Sequence, residues 1–110
     1  DRNRLTQILT NLLTNAIKHT REGFIRFGYK KTDGFVEFFI QDSGEGIPED
    51  KVDSIFSRFV QLDDWSKGVG LGLAICKGLV GQMQGKIWAT SKLGEGSVFF
   101  VRLPLTVNII

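Results

Sequence analysis

The chain has one cysteine, Cys76, and one histidine, His19. A lone cysteine excludes an internal disulfide, and without partner His or Cys residues no zinc set is readable. Cys76 stands beside Ile75 and Leu79 on an apolar helical pattern, so it is expected in the core, where small thiols usually sit. An excess of either charge is also lacking. The formal net charge is +2, and Lys and Arg form no evident stripe, which leaves no footprint for a nucleic acid. No apolar run reaches the roughly 18 residues that a membrane span needs, and the first residues are polar rather than signal-like. Repeats, linkers and low-complexity tracts are absent. What remains is ordinary: 42% hydrophobic and 24% charged residues over 110 positions suit one small soluble domain, residues 1–110, with one core.

Leu5, Ile8, Leu9, Leu12, Leu13, Ala16 and Ile17 recur at steps of three and four, which predicts a long amphipathic helix from about Asn3 to Thr20, ended by Gly23. The segments FIRFGYKK and FVEFFIQD are rich in aromatic and β-branched residues, and Asp33-Gly34 between them is a two-residue hairpin signal. In DSGEGIPEDKVDSIF a glycine turn leads to Pro48, the first residue of a short helix reaching about Phe56. Ser57 to Lys67 holds no period and reads as an exposed loop, despite Phe59, Val60, Leu62 and Trp65. A second long helix is predicted over Val69 to Met83, with Leu71, Ala74, Ile75, Leu79 and Met83 inward. GKIWATSKL and SVFFVRLPL are two further strands joined by Gly94-Glu95-Gly96, with Trp88 expected in the core. The order predicts an α+β fold, a two-layer α/β sandwich whose mixed, mostly antiparallel sheet carries helices on one face.

Three features carry candidate chemistry. In GVGLGLAICKGL, Gly68, Gly70 and Gly72 precede a helix, where unpaired N–H groups and the helix dipole favour phosphate; the spacing matches neither the dinucleotide fingerprint nor the P-loop, so a flexible connector fits equally well. Asn11, Asn15 and Lys18 form a polar stripe along the first helix. It reads either as a solvated face or as amide oxygens for Mg²⁺ beside an ammonium for phosphate. Asp42 closes an apolar strand at DSGEGIP. It is either turn chemistry or a buried carboxylate accepting from an exocyclic amine such as that of adenine, with Gly44 and Gly46 allowing a flat base to approach closely.

Taken in order, NLLTNAIKHT, DSGEGIP, IFSRF, GVGLGLAI and GEGSVF resemble the N box, first glycine box, phenylalanine box, second glycine box and final glycine turn of the catalytic ATP-binding domain of bacterial sensor histidine kinases, of the Bergerat-fold ATPase superfamily. The resemblance covers nearly the entire chain. It implies that Asn15 holds Mg²⁺, that Asn11 and Lys18 face the phosphates, that His19 lines the pocket and that Asp42 binds the adenine amine. Gly44, Gly46, Ile47, Leu71, Leu73 and Ser97 complete the nucleotide site by the same resemblance. Phe56 and Phe59 would anchor an ATP lid over Ser57 to Lys67, with Arg58, Gln61 and Lys67 as phosphate contacts. Gly68, Gly70 and Gly72 would form its hinge, and Trp65 would dock on a partner or on the nucleotide rim. The lid is short for the family, and Val69 stands where Thr is common.

The implied partners are ATP and ADP, a helical dimerisation and phosphoacceptor domain of the same kinase, and indirectly a response regulator receiver domain. The implied location is cytoplasmic, within a parent anchored in the inner membrane or not, and the isolated domain is expected to be monomeric. The phosphoacceptor hairpin is not in these residues, and His19 falls at a pocket position of the N box. Related hydrolases and protein-serine kinases carry a Glu base one helical turn before the metal-binding Asn; here that position is Asn11, and an amide cannot take the proton. The pattern therefore favours phosphoryl transfer to histidine over a hydrolase or an inactive nucleotide-binding or scaffolding module.

Overall fold

A computed structural model describes residues 2–20, 22–56 and 69–105. Helix α1 spans Arg2–His19 and buries Ile8, Leu12, Asn15 and Ala16. Lys18 and His19 occupy its last turn, where positive groups complement the helix dipole. The helix stops at His19, and Gly23, expected as its terminator, instead sits in a bend at φ 120°. Strands β1 (Ile25–Thr32) and β2 (Phe35–Asp42) form the expected hairpin. Its two-residue loop needs Gly34, which adopts φ 79° at no steric cost. A 3-10 helix follows at Glu49–Phe56, then α2 at Val69–Gln82, β3 at Lys86–Lys92 and β4 at Gly96–Pro104.

The strand order is β1-β2-β4-β3, and every pairing among the described residues is antiparallel. Period-two alternation gives this sheet two different faces. Val36 and Ile40 of β2 and Phe99, Val101 and Leu103 of β4 are buried with Ile8, Leu12, Leu73, Cys76, Val80 and Met83 from the two helices. Phe99 meets Phe56 of the 3-10 helix edge-on, with ring centroids 6.0 Å apart. The expected two-layer sandwich is therefore present, with the core between the sheet and α1, α2 and the 3-10 helix. No described helix is long and apolar enough to cross a membrane.

Three sequence expectations are corrected. Trp88 is not in the core: Ile87 and Ala89 pack toward the helices, so Trp88 points from the opposite face and stacks on Phe100 at 5.2 Å. The inward stripe of α2 runs through Leu73, Cys76, Val80 and Met83, leaving Ile75 41% exposed. Ile17 is 64% exposed, because α1 turns its last apolar position away from the sheet. Cys76 is fully buried, as expected.

The end of α2 carries a feature that composition hides. Gln84 adopts φ 60°, a left-handed conformation usually given to glycine. Gly85 N–H donates to Val80 O at 2.9 Å and Gln84 N–H to Gly81 O at 3.0 Å, the paired bonds of a Schellman cap.

Candidate functional site

The candidate residues gather where the end of α1, the end of β2 and the β3–β4 turn meet. The DSGEGIP segment is tied down on both sides. Gly94 N–H donates to Glu45 O at 2.8 Å, and Ile47 N–H donates to Ser91 Oγ at 2.7 Å. Ser91 in turn donates to Gly96 O at 2.9 Å and lies 2.8 Å from Ser97 Oγ. A Cβ at Gly44 would overlap the His19 carbonyl, one at Gly46 the Lys92 carbonyl, and one at Gly96 the Asp42 carbonyl. The glycines are thus required because three elements of the chain cross at backbone contact, a reason that the sequence expectation of room for a flat base did not contain.

Asp42 closes β2 and is 5% exposed. Its carboxylate accepts from the Gly44 N–H at 2.9 Å and from the Ser97 backbone N–H. Burial pushes its carboxyl above the ordinary carboxylate value; those two N–H groups and His19 pull it back, and Glu45 pushes it further up. A carboxylate held by two N–H groups and still short of solvation is a strong acceptor for one more donor. A cleft of about 260 Å³ reaches Asp42 and Ser97 from the side of the sheet bearing Gln41, Thr90 and Val98; α1 does not line it.

On α1, Asn15 is 4% exposed, and its Oδ1 accepts no hydrogen bond among the described residues. A buried acceptor without a partner costs about 1–3 kcal/mol, so its persistence asks for a ligand. A neutral amide oxygen is a hard donor of the kind that Mg²⁺ takes, and the site fits that ion. Thr20 Oγ1 is buried without a partner in the same way, and nothing in the sequence pattern singled it out. Asn11 lies one turn earlier, hydrogen bonded to Cys76, while Lys18 is solvent exposed at the helix end.

His19 Nδ1 lies 2.8 Å from Glu45 Oε1, with the imidazole 10% and the carboxylate 60% exposed. The imidazole is thereby held against the DSGEGIP segment. Glu45 was not anticipated from the sequence, although a carboxylate between two glycines facing the end of α1 was the available clue. Ser91 was missed too. Its signal is the period of β3: it shares a face with Ile87 and Ala89 and is a hydroxyl at a position patterned for an apolar residue.

Ile47 and Leu73 are enclosed in the core, and Phe56 is 7% exposed against Phe99. These three belong to the hydrophobic core beneath the DSGEGIP segment and the start of α2. Ser97 is buried beside Asp42, as its place after the final glycine turn suggests. Gly70, Leu71 and Gly72 fall in the first turns of α2. Arg58, Phe59, Gln61, Trp65, Lys67 and Gly68 lie outside the described residues.

Residues 1–107 match the family described as histidine kinase-, DNA gyrase B-, and HSP90-like ATPase. The chain is 40% identical over 109 residues to the adaptive-response sensory kinase SasA of Synechococcus elongatus, covering 96% of this chain and 28% of that protein. It is 40% identical over 105 residues to the aerobic respiration control sensor protein ArcB of Escherichia coli, covering 90% of this chain and 14% of that protein. The solved catalytic domain of histidine kinase ThkA, nucleotide free, aligns at a TM-score of 0.82 and 36% identity, over 94% of this chain and 68% of that one. Full-length ShkA in complex with AMPPNP aligns at a TM-score of 0.82 and 38% identity, over 92% of this chain and 21% of that one. The chain spans less than a third of the curated relatives it matches.

Proposed function

Because the chain belongs to the histidine kinase-, DNA gyrase B-, and HSP90-like ATPase family, we propose that residues 1–110 form the catalytic unit of a sensor kinase. It binds MgATP and passes the γ-phosphoryl group to a histidine on a separate helical domain. The observation that carries this reading is the pairing of two buried, under-satisfied acceptors, the Asp42 carboxylate and Asn15 Oδ1, at one end of the fold. Asp42 would accept from the exocyclic amine of adenine, with the Gly44 and Ser97 N–H groups fixing its orientation. Asn15 would hold Mg²⁺, which supplies charge neutralisation for the triphosphate. Lys18 and Asn11 would face the phosphates, and the Glu45–His19 pair would close the wall between the base and the end of α1.

In the transfer step, a neutral imidazole nitrogen of the acceptor attacks the γ-phosphorus. The bond to the β,γ-bridging oxygen breaks, and ADP leaves. Neutral imidazole already offers a lone pair, so the chain needs to position and neutralise rather than to remove a proton. Asn11, an amide at the position where a general base would stand, fits that requirement and not the activation of water.

The test mixes the chain with a helical hairpin bearing the acceptor histidine and with γ-labelled ATP and Mg²⁺. Label on the hairpin, lost in Asn15→Ala, is the expected result. Nucleotide binding without label on the hairpin would reduce the chain to a binding module. Rapid phosphate release by the chain alone would make it a hydrolase.

A further inference from the structure

The face of the sheet turned away from the helices is not a solvated polar surface. Register places Gly28, Phe39, Phe100 and Trp88 in one row across all four strands, β1, β2, β4 and β3. The rings lie flat. Trp88 and Phe100 are stacked at an interplanar angle of 14°, and the Phe39 ring lies on Gly28, where an added Cβ would sit 2.9 Å from its Cε2. The neighbouring row is Lys30, Glu37, Arg102 and Lys86. Arg102 covers Phe35 at 4.3 Å and Lys86 lies 5.6 Å from the Trp88 centroid. Among the described strand residues on this face the one carboxylate is Glu37, 4.0 Å from Lys30, while Arg26 adds a further positive charge.

An open sheet face is normally alternated to polar residues, because large apolar side chains there gain nothing from water. Here four aromatic residues, Phe35, Phe39, Trp88 and Phe100, are only half buried and no described element covers them. We propose that this face docks a partner protein's amphipathic helix, one with an apolar stripe flanked by Asp and Glu, as a third layer on the sheet. Charge complementarity selects the occupant: an aromatic row bordered by Lys30, Lys86 and Arg102 favours an acidic rim. Half-buried rings stacked on one another offer a packed surface to an apolar stripe, whereas insertion into a bilayer needs apolar side chains that are exposed and free to enter it. Guanidinium and ammonium groups poised over Phe35 and Trp88 can swing to carboxylates as the helix arrives, exposing the rings to its apolar stripe. The aromatic row lies on the face turned away from α1, the face that also bears Gln41, Thr90 and Val98 beside the cleft, and the proposal does not rest on the nucleotide reading of that site.

The test follows Trp88 fluorescence in a Trp65→Phe background. The probe is a synthetic helical peptide with Leu at i, i+3, i+4 and i+7 and Glu on its flanks. A saturable spectral shift that weakens with added salt, and at least tenfold weaker binding by a Lys86→Glu, Arg102→Glu variant, are expected. Both substituted side chains are exposed, so the fold survives, and unchanged circular dichroism verifies it. Equal binding of a peptide with Lys in place of Glu would overturn the proposal, as would no binding of the acidic peptide. A shift with vesicles of phosphatidylglycerol and phosphatidylcholine but not with peptide would replace it with a lipid surface.

Discussion

Replacing Asn15 with alanine should make the nucleotide-free protein more stable while removing its metal dependence. Three terms set the balance. An orphaned buried acceptor costs about 1–3 kcal/mol, and Asn15 Oδ1 is such an acceptor among the described residues. Alanine gains about 0.6 kcal/mol of helix propensity over asparagine in mid-helix, where Asn15 lies. Against these stands the lost packing of a small side chain, roughly 1 kcal/mol. The sum is a gain of about 0.6–2.6 kcal/mol, with a rise in Tm of about 4–8 °C per kcal/mol in a domain of this size. Thermal and urea unfolding without nucleotide or Mg²⁺ read the first effect. Calorimetric titration of ATP with and without Mg²⁺ reads the second, where the Mg²⁺-dependent increment in affinity should vanish. A folded Asn15→Ala protein that is less stable than the parent and keeps the Mg²⁺ increment would refute the reasoning, because the amide would then be a structural hydrogen-bonding group.

Asp42→Asn should weaken ADP binding by about 1–3 kcal/mol, the range for losing a charge-assisted hydrogen bond, with calorimetry as the check. The same substitution carries a pH signature: burial raises the folded carboxyl above its unfolded value of 3.8, so the folded state binds the proton more tightly. The Asp42 contribution therefore favours folding at low pH and is lost as pH rises through the raised value; Tm measured across pH 4–7 should fall less steeply in Asp42→Asn. Gly44→Ala should destabilise the chain by roughly 1–3 kcal/mol, since its methyl group meets the His19 carbonyl, and urea unfolding measures this. Gln84→Gly should stabilise by about 0.5–1 kcal/mol by relieving the left-handed conformation, and an unchanged Tm would show that Gln84 gains an offsetting contact.

Local pattern made most of the elements legible. The apolar steps of α1, the Asp33-Gly34 turn and the alternating strands are short-range signals, and each element appears within a few residues of its expected place. Rotation about an axis was harder to read. In α2 nearly every residue is apolar or small, so the sequence left its inward stripe ambiguous, and Ile75 went to the wrong side. Trp88 failed for a related reason: aromatic content marks a strand, but only register with Phe100 and the burial of Ile87 and Ala89 decide the face. At the candidate site, Asn15 was visible as part of a polar stripe along α1 and Asp42 as a carboxylate closing an apolar strand. Their partners Glu45, Ser91 and Thr20 were not, because contacts between distant segments leave no local period.

Cys76 is the chain's only thiol, fully buried, with Sγ 3.8 Å from Ile8 O and its pKa pushed up to about 11 by burial, with Asn11 opposing. At neutral pH it is neither ionised nor reachable, so an alkylating reagent can take it only when the α1–α2 seam parts. The protein thereby contains a built-in clock for its own opening. Asn11, one turn from Asn15, touches both the clock and the polar stripe of α1, so a ligand that braces that stripe only in the closed state should lengthen each tick by a factor of one plus the ratio of free ligand concentration to Kd.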